Sequence, residues 1–199
     1  MKLKSFFPVY LAILLTIPAA MIYSHEKILK QGEVFMFKTR PVDPYDLFRG
    51  RYVVLAFEQD SFEYNGPEYY PNNTVVYLTL GRDKKGFTKI ESFSTEKPKS
   101  GTYLRAHVSW HEKARWVYNA KTKTSDAVPA NTVRFHFPFS RFYMNERKAP
   151  KAEALYRDVN STDPKKPQIV MAAQVRVLNG SGILENVLVD GQPLAEKTK

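Results

Sequence analysis

An unbroken uncharged run, Phe6 to Tyr23, constrains this chain more than any other feature. Its 18 residues rise about 27 Å as a helix, close to the hydrocarbon thickness of a bilayer. A backbone inside lipid must satisfy its own hydrogen bonds, so a spanning run of this length has to be helical. Pro8 falls in the first turn, where a missing amide costs little, whereas Pro18 is interior and is expected to kink or end the helix. Lys2 and Lys4 ahead of the run set the N-terminus on the cytoplasmic side; Lys27 and Lys30, partly offset by Glu26, weaken that bias without reversing it. A cleaved signal peptide wants small residues at −3 and −1. A cut after Ala20 puts Pro18 at −3, and a cut after Ser24 puts Ile22 there. The reading is a retained signal-anchor over residues 1–24, a stalk over 25–32, a β domain over 33–194 and a tail over 195–199, with cleavage as the alternative.

Beyond the run the chain reads as mainly β. Thr74–Leu80 is rich in branched and aromatic residues, and Gln168–Asn179 and Ile183–Asp190 flank Gly180-Ser181-Gly182 as a hairpin. Glu33–Thr39 has four apolar residues at its centre and is expected to be covered on both faces. In Thr102–Trp110, Leu104, Ala106, Val108 and Trp110 fall on one side and Tyr103, Arg105, His107 and Ser109 on the other. Pro150–Asp158 has a helix composition with proline at its start. About eight strands and one short helix follow, as one antiparallel sheet, strongly twisted or barrel-like.

The most sharply defined connection is Arg40-Pro-Val-Asp-Pro-Tyr-Asp-Leu-Phe-Arg-Gly-Arg-Tyr-Val-Val-Leu-Ala-Phe57. Pro41 and Pro44 fix their own φ and keep the preceding residue out of the helical region, while Asp43 and Asp46 close turns on nearby amides. Gly50 is expected at positive φ before a strand on which Val53, Leu55 and Phe57 share a face. Arg40, Arg49 and Arg51 surround the two aspartates, which reads as a charge-locked turn; a carboxylate pair for acid–base work or calcium is the less favoured reading.

This stretch resembles the signature of the GDYXXLXY family. Gly50, Tyr52 and Leu55 match the named motif; Arg51 stands where the family has Asp, and Phe57 where it has Tyr. Pro41-Val42-Asp43-Pro44 and Asp46, Leu47 and Arg49 fit what precedes the motif, and Phe139–Glu146 is similar to a later aromatic segment. The resemblance implies a single-pass protein of a bacterial inner membrane with its domain on the periplasmic side. It implies a polytopic membrane protein as partner and carries over no catalytic residue. Candidate binding residues are Asp43, Pro44, Asp46, Arg49, Gly50, Arg51, Tyr52 and Leu55 at the corner, with Arg141, Phe142, Tyr143 and Glu146 in the aromatic segment.

Chemistry is sparse in the sequence. Without cysteine there is no disulfide framework, thiol nucleophile or zinc–thiolate site. No serine lies in a Gly-x-Ser-x-Gly elbow. His107 and His111 are four apart, which puts both on one face of a strand or helix, but Lys113 and Arg115 would repel a cation; two histidines on a polar strand face is the preferred reading. Phe135, Phe137, Phe139, Phe142 and Tyr143 are read as core ahead of a binding groove. The formal net charge is +10, concentrated in Arg82–Lys123, with eleven Lys/Arg against four acids, and in Arg134–Lys166, with eight against four. The preferred reading is a solvated basic surface; the functional alternative is attraction to an anionic partner such as phospholipid head groups, acidic envelope polymer or an acidic protein face. No reader motif points to nucleic acid. The expectation is a binding or accessory module for a membrane protein or an anionic envelope component, with no metal or cofactor. An envelope hydrolase on a signal-peptidase-like scaffold is the alternative.

Overall fold

The computed structural model describes residues 3–40, 52–112, 115–119, 124–128, 132–143 and 170–197. The helix expected at 150–158 lies outside the described residues.

The first element, α1 (Leu3–Gln31), runs through Pro18 without ending there. Residues expected to form a stalk supply its last two turns. Over Tyr10–Gln31 it is long and apolar enough to cross a membrane, and none of its apolar window is buried against the rest of the protein. Gly32 closes it, donating its N–H to the Ile28 carbonyl at 2.8 Å. A Cβ here would collide with that carbonyl and lie 3.2 Å from the Arg176 Cβ, which is why glycine stands at this elbow. The next residue already belongs to a strand.

One five-stranded sheet has the order β14 (Gln192–Pro193), β13 (Ser181–Val189), β12 (Met171–Leu178), β1 (Glu33–Arg40), β3 (Ala56–Phe57). The other runs β4 (Ser61–Glu63), β10 (Thr132–His136), β7 (Tyr103–His111), β5 (Val75–Arg82), β6 (Thr88–Ser94). Two ribbons complete the described strands: β2 (Tyr52–Val54) with β11 (Arg141–Tyr143), and β8 (Arg115–Asn119) with β9 (Thr124–Val128). A four-residue helix, α2 (Leu194–Lys197), follows β14. The mainly antiparallel β fold is thus as expected, but the described residues form fourteen strand segments and two main sheets instead of about eight strands in one. The expectation missed β4, β11 and β14, which at two or three residues are too short to show a period, missed the β8–β9 ribbon, and took β2 and β3 as one strand.

The two sheets face one another over a single core. Phe35, Phe37, Val175, Val177 and Val187 point inward from the first, and Val76, Leu78, Leu104, Ala106, Val108 and Val133 from the second. Burying each large apolar side chain is worth about 1.5–3 kcal/mol, so these faces dominate the stability of the domain. On β1, Phe35 and Phe37 are buried while Val34 and Met36 are half-covered, so the strand is sealed on one face and not on both. Two connections close the layers towards a barrel. The chain passes from β3 to β4 through Glu58–Asp60, moving from an edge of one sheet to an edge of the other. At another point the Arg105 N–H reaches across to the Gly180 carbonyl at 2.8 Å. A polar clamp adds a third tie: Arg82 donates to Glu33 at 2.7 Å and to the Val34 carbonyl at 2.9 Å, and Thr102 donates to Glu33 at 2.5 Å.

The expected β12–β13 hairpin forms, but its turn is earlier than the expected Gly180-Ser181-Gly182, and Ser181 and Gly182 are already paired in β13. Its turn residues are Asn179 and Gly180, at φ 49° and 83°, the two positive values of a twisted two-residue hairpin turn. The expected strand Arg51–Gln59 is divided at Leu55, whose N–H extends the pairing with the β11 segment by donating to the Ser140 carbonyl at 2.8 Å. Tyr52–Val54 therefore pairs with β11, and Ala56–Phe57 with β1.

Strand β7 departs most from its expected pattern. Opposite β10, Val108 pairs with Phe135 and Trp110 with Arg134, so Ser109 is an extra residue. A bulge of one residue inverts every side chain beyond it. Leu104, Ala106 and Val108 point into the core as expected, but Trp110 turns outward, 45% exposed, with the Arg134 guanidinium 5.7 Å from its ring centroid.

Candidate functional site

The two segments singled out as binding surfaces meet. In the β2–β11 ribbon, Tyr52 pairs with Tyr143, Val53 with Phe142 and Val54 with Arg141. Alternation along β11 turns Arg141 and Tyr143 outward and leaves Phe142 half-buried against the core. Tyr143 is 66% exposed, a large aromatic ring on the surface of the ribbon. Leu55 is a core residue, so its part is to hold the strand down. Asp43, Pro44, Asp46, Arg49, Gly50, Arg51 and Glu146 lie outside the described residues, as does the positive φ expected at Gly50.

Under the ribbon the fold places four phenylalanines together. The Phe37 ring meets those of Phe57, Phe137 and Phe139 edge-on at centroid distances of 5.7, 5.4 and 5.2 Å, and Phe137 stacks on Phe139 at 5.4 Å. Edge-to-face pairs of this kind add about 0.5–1.5 kcal/mol each beyond the area they bury. Phe135, Phe137 and Phe139 are thus core, as expected, and the aromatic surface narrows to Tyr143 and the rim of Phe142.

Arg40, which leads into the corner, donates to Asp60 at 2.7 Å. Burial raises the Asp60 carboxyl above its ordinary range, against the opposing pull of Arg40 and Arg134. Asp60 escaped the sequence reading because it lies just past the corner in the β3–β4 turn, and only the pairing of Arg40 with Ala56 brings it beside Arg40.

The two histidines separate. With Ser109 as an extra residue, His107 stays on the outer face of β7, its Nδ1 3.3 Å from the Asn73 carbonyl, and His111 turns inward. His111 is 3% exposed, stacked on Tyr69 and Tyr70 with Tyr64 edge-on, and the Tyr70 N–H donates to its Nδ1 at 2.9 Å. The shared-face expectation is therefore corrected by the bulge. Among the described residues no group of three or more His, Asp or Glu side chains is placed to hold a metal ion. The tyrosine cluster around His111 was missed at the sequence level, although Tyr64, Tyr69 and Tyr70 are dense within what read only as a turn-rich connection. The Tyr70 hydroxyl donates to Glu68 at 2.7 Å, and burial together with that bond pushes its ionisation well above the ordinary tyrosine range.

Compared with known protein families, the chain matches over residues 14–187 a family described as GDYXXLXY protein. Comparison with curated proteins and with solved structures gave no match.

Proposed function

The chain belongs to the GDYXXLXY family, and from that membership we propose that it is a membrane-tethered β module that binds another envelope component and catalyses no reaction. In this reading α1 crosses a bacterial inner membrane once and the β domain stands on the periplasmic side. The partner is a polytopic membrane protein, because a domain that begins one residue after the helix works close to the bilayer surface. The observation that carries the reading is the ribbon: motif strand and aromatic segment, far apart in sequence, are paired strand to strand with Arg141 and Tyr143 outward. Arginine and tyrosine are the side chains that most often anchor protein interfaces. The +10 charge supplies a second, less specific attraction to anionic envelope material.

The test is a photo-crosslinking amino acid at position 143 of the full-length protein in native membranes, with the same probe at position 84 as control. One membrane protein crosslinked from 143 and not from 84 is expected. Arg141→Ala with Tyr143→Ala should weaken co-purification of that protein from mild detergent by about 30-fold, the equivalent of about 2 kcal/mol. Identical crosslinks from both positions, or none, would overturn the ribbon as the docking surface.

A further inference from the structure

The outer face of β7 carries Tyr103, Arg105 and His107 two residues apart, and they floor a cavity of about 690 Å³. That is within the usual size of small-ligand sites, about 300–1,000 Å³. One wall is the turn of the β12–β13 hairpin and another is the end of α1 at Ser24, His25 and Ile28. Gly180 lets the turn come this close: its carbonyl accepts the Arg105 N–H, and a Cβ on it would stand 2.7 Å from the Tyr103 ring. Lys97 overhangs the floor, its Nζ 5.6 Å from the Tyr103 ring centroid, and Tyr77 meets Tyr103 edge-on at 5.8 Å.

Charge in this cavity is of one sign. The described residues that line it include Lys97, Arg105 and two histidines, and no Asp or Glu. Lys97 and Arg105 are exposed, and among the described residues neither has a carboxylate within ion-pair distance. Elsewhere on the surface the cations of Lys38, Arg40, Arg82 and Arg176 are matched by carboxylates. A concave site with two unmatched cations concentrates the field on an anion.

The cavity also has a definite height. Ser24 is the first residue after the uncharged run, and Ile28 lies about 7.5 Å beyond Tyr23 along the helix axis. With α1 in a bilayer, that is the headgroup layer. The apolar side chains of Ile28 and Ile183 line the same cavity. We propose that this cavity binds the phosphodiester headgroup of an anionic phospholipid, with Arg105 and Lys97 on the phosphate, Tyr103 and Tyr77 beside the glycerol, and the acyl chains leaving along α1. The proposal rests on the reading of α1 as a membrane anchor and is independent of the ribbon's partner.

The experiment is calorimetric titration of the full-length protein in non-ionic micelles with dihexanoyl-phosphatidylglycerol, dihexanoyl-phosphatidylcholine and glycerol 3-phosphate. Saturable one-to-one binding of the phosphatidylglycerol is expected, at least about tenfold tighter than either other probe. Arg105→Gln with Lys97→Gln should lower that affinity by about tenfold or more, as removal of charge-assisted hydrogen bonds does. Lys84→Gln with Lys85→Gln, in an exposed turn away from the cavity, should leave it unchanged. Glycerol 3-phosphate binding as tightly as the lipid would make this a soluble-anion site. Equal losses in both double variants would reduce it to diffuse charge, and absence of saturable binding would remove it altogether. Recovery of the protein outside the membrane fraction would instead count against the anchor, and crosslinking at position 143 reports on the ribbon separately.

Discussion

His111 is a base held where it cannot easily be charged. Its Nδ1 accepts the Tyr70 N–H, so the ring proton sits on Nε2, which is buried without a hydrogen-bond partner among the described residues. Burial lowers its proton affinity below the ordinary histidine value. The folded state therefore binds a proton less readily than the unfolded chain, whose histidine titrates near 6.5. Stability is fully present above that value and is lost as pH falls through it towards the lowered folded value. Thermal melts across about pH 5–7.5 should show this slope, and His111→Gln should flatten it while lowering the melting temperature at neutral pH. An unchanged slope would assign the acid sensitivity elsewhere. At this scale the sequence was a partial guide. It showed two histidines four residues apart, but their facing depends on one extra residue in a ladder with a strand more than twenty positions away.

At the scale of elements, the bulge on β7 and the elbow at Gly32 make separable predictions. Deleting Ser109 removes the extra residue, and the ladder then runs on regularly with Trp110 opposite Arg134, still outward, and His111 opposite Val133, still inward. Because no side chain changes face, the expected cost is small, about 1 kcal/mol or less. In a Trp116→Phe background the remaining Trp110 emission should stay at the exposed wavelength. A shift to shorter wavelength would show that the ladder slips by one residue and turns Trp110 inward. Gly32→Ala sets a methyl against the Ile28 carbonyl and the Arg176 Cβ. It should destabilise the junction by about 1–3 kcal/mol and speed hydrogen exchange of the amides around 28–34. Exchange that matches the parent would mean the elbow opens without loss. Long periodic strands such as β5 and most of β7 were legible in the sequence, as was the β12–β13 hairpin, because local pattern and turn chemistry agree there. The split of the motif strand at Leu55 was not, since it is decided by which distant partner each half finds.

For the whole molecule, the proposed anchor gives the plainest expectation. The full-length protein should stay with membranes through high-salt and alkaline washing, and residues from about 31 onward should be soluble when made alone. A mature N-terminus found between Ala19 and His25 would show cleavage instead. An apolar helix followed by β structure could be read from hydropathy and residue type, whereas the order of strands in two facing sheets could not, because non-consecutive pairings such as β1 with β12 leave no local trace. One consequence concerns how α1 enters β1. Only Gly32 separates a helix of 29 residues, about 43 Å long, from the central region of a sheet, and Arg176 also reaches the Gly32 carbonyl at 3.3 Å. Such a junction has no slack to act as a swivel. Helices tilt to match the thickness of the bilayer they cross, and here a change of tilt would swing the whole domain like the head of a lever. A thinner or thicker membrane would then re-aim the ribbon and lift or lower the cavity relative to the lipid surface, making bilayer thickness itself a quantity the protein can report.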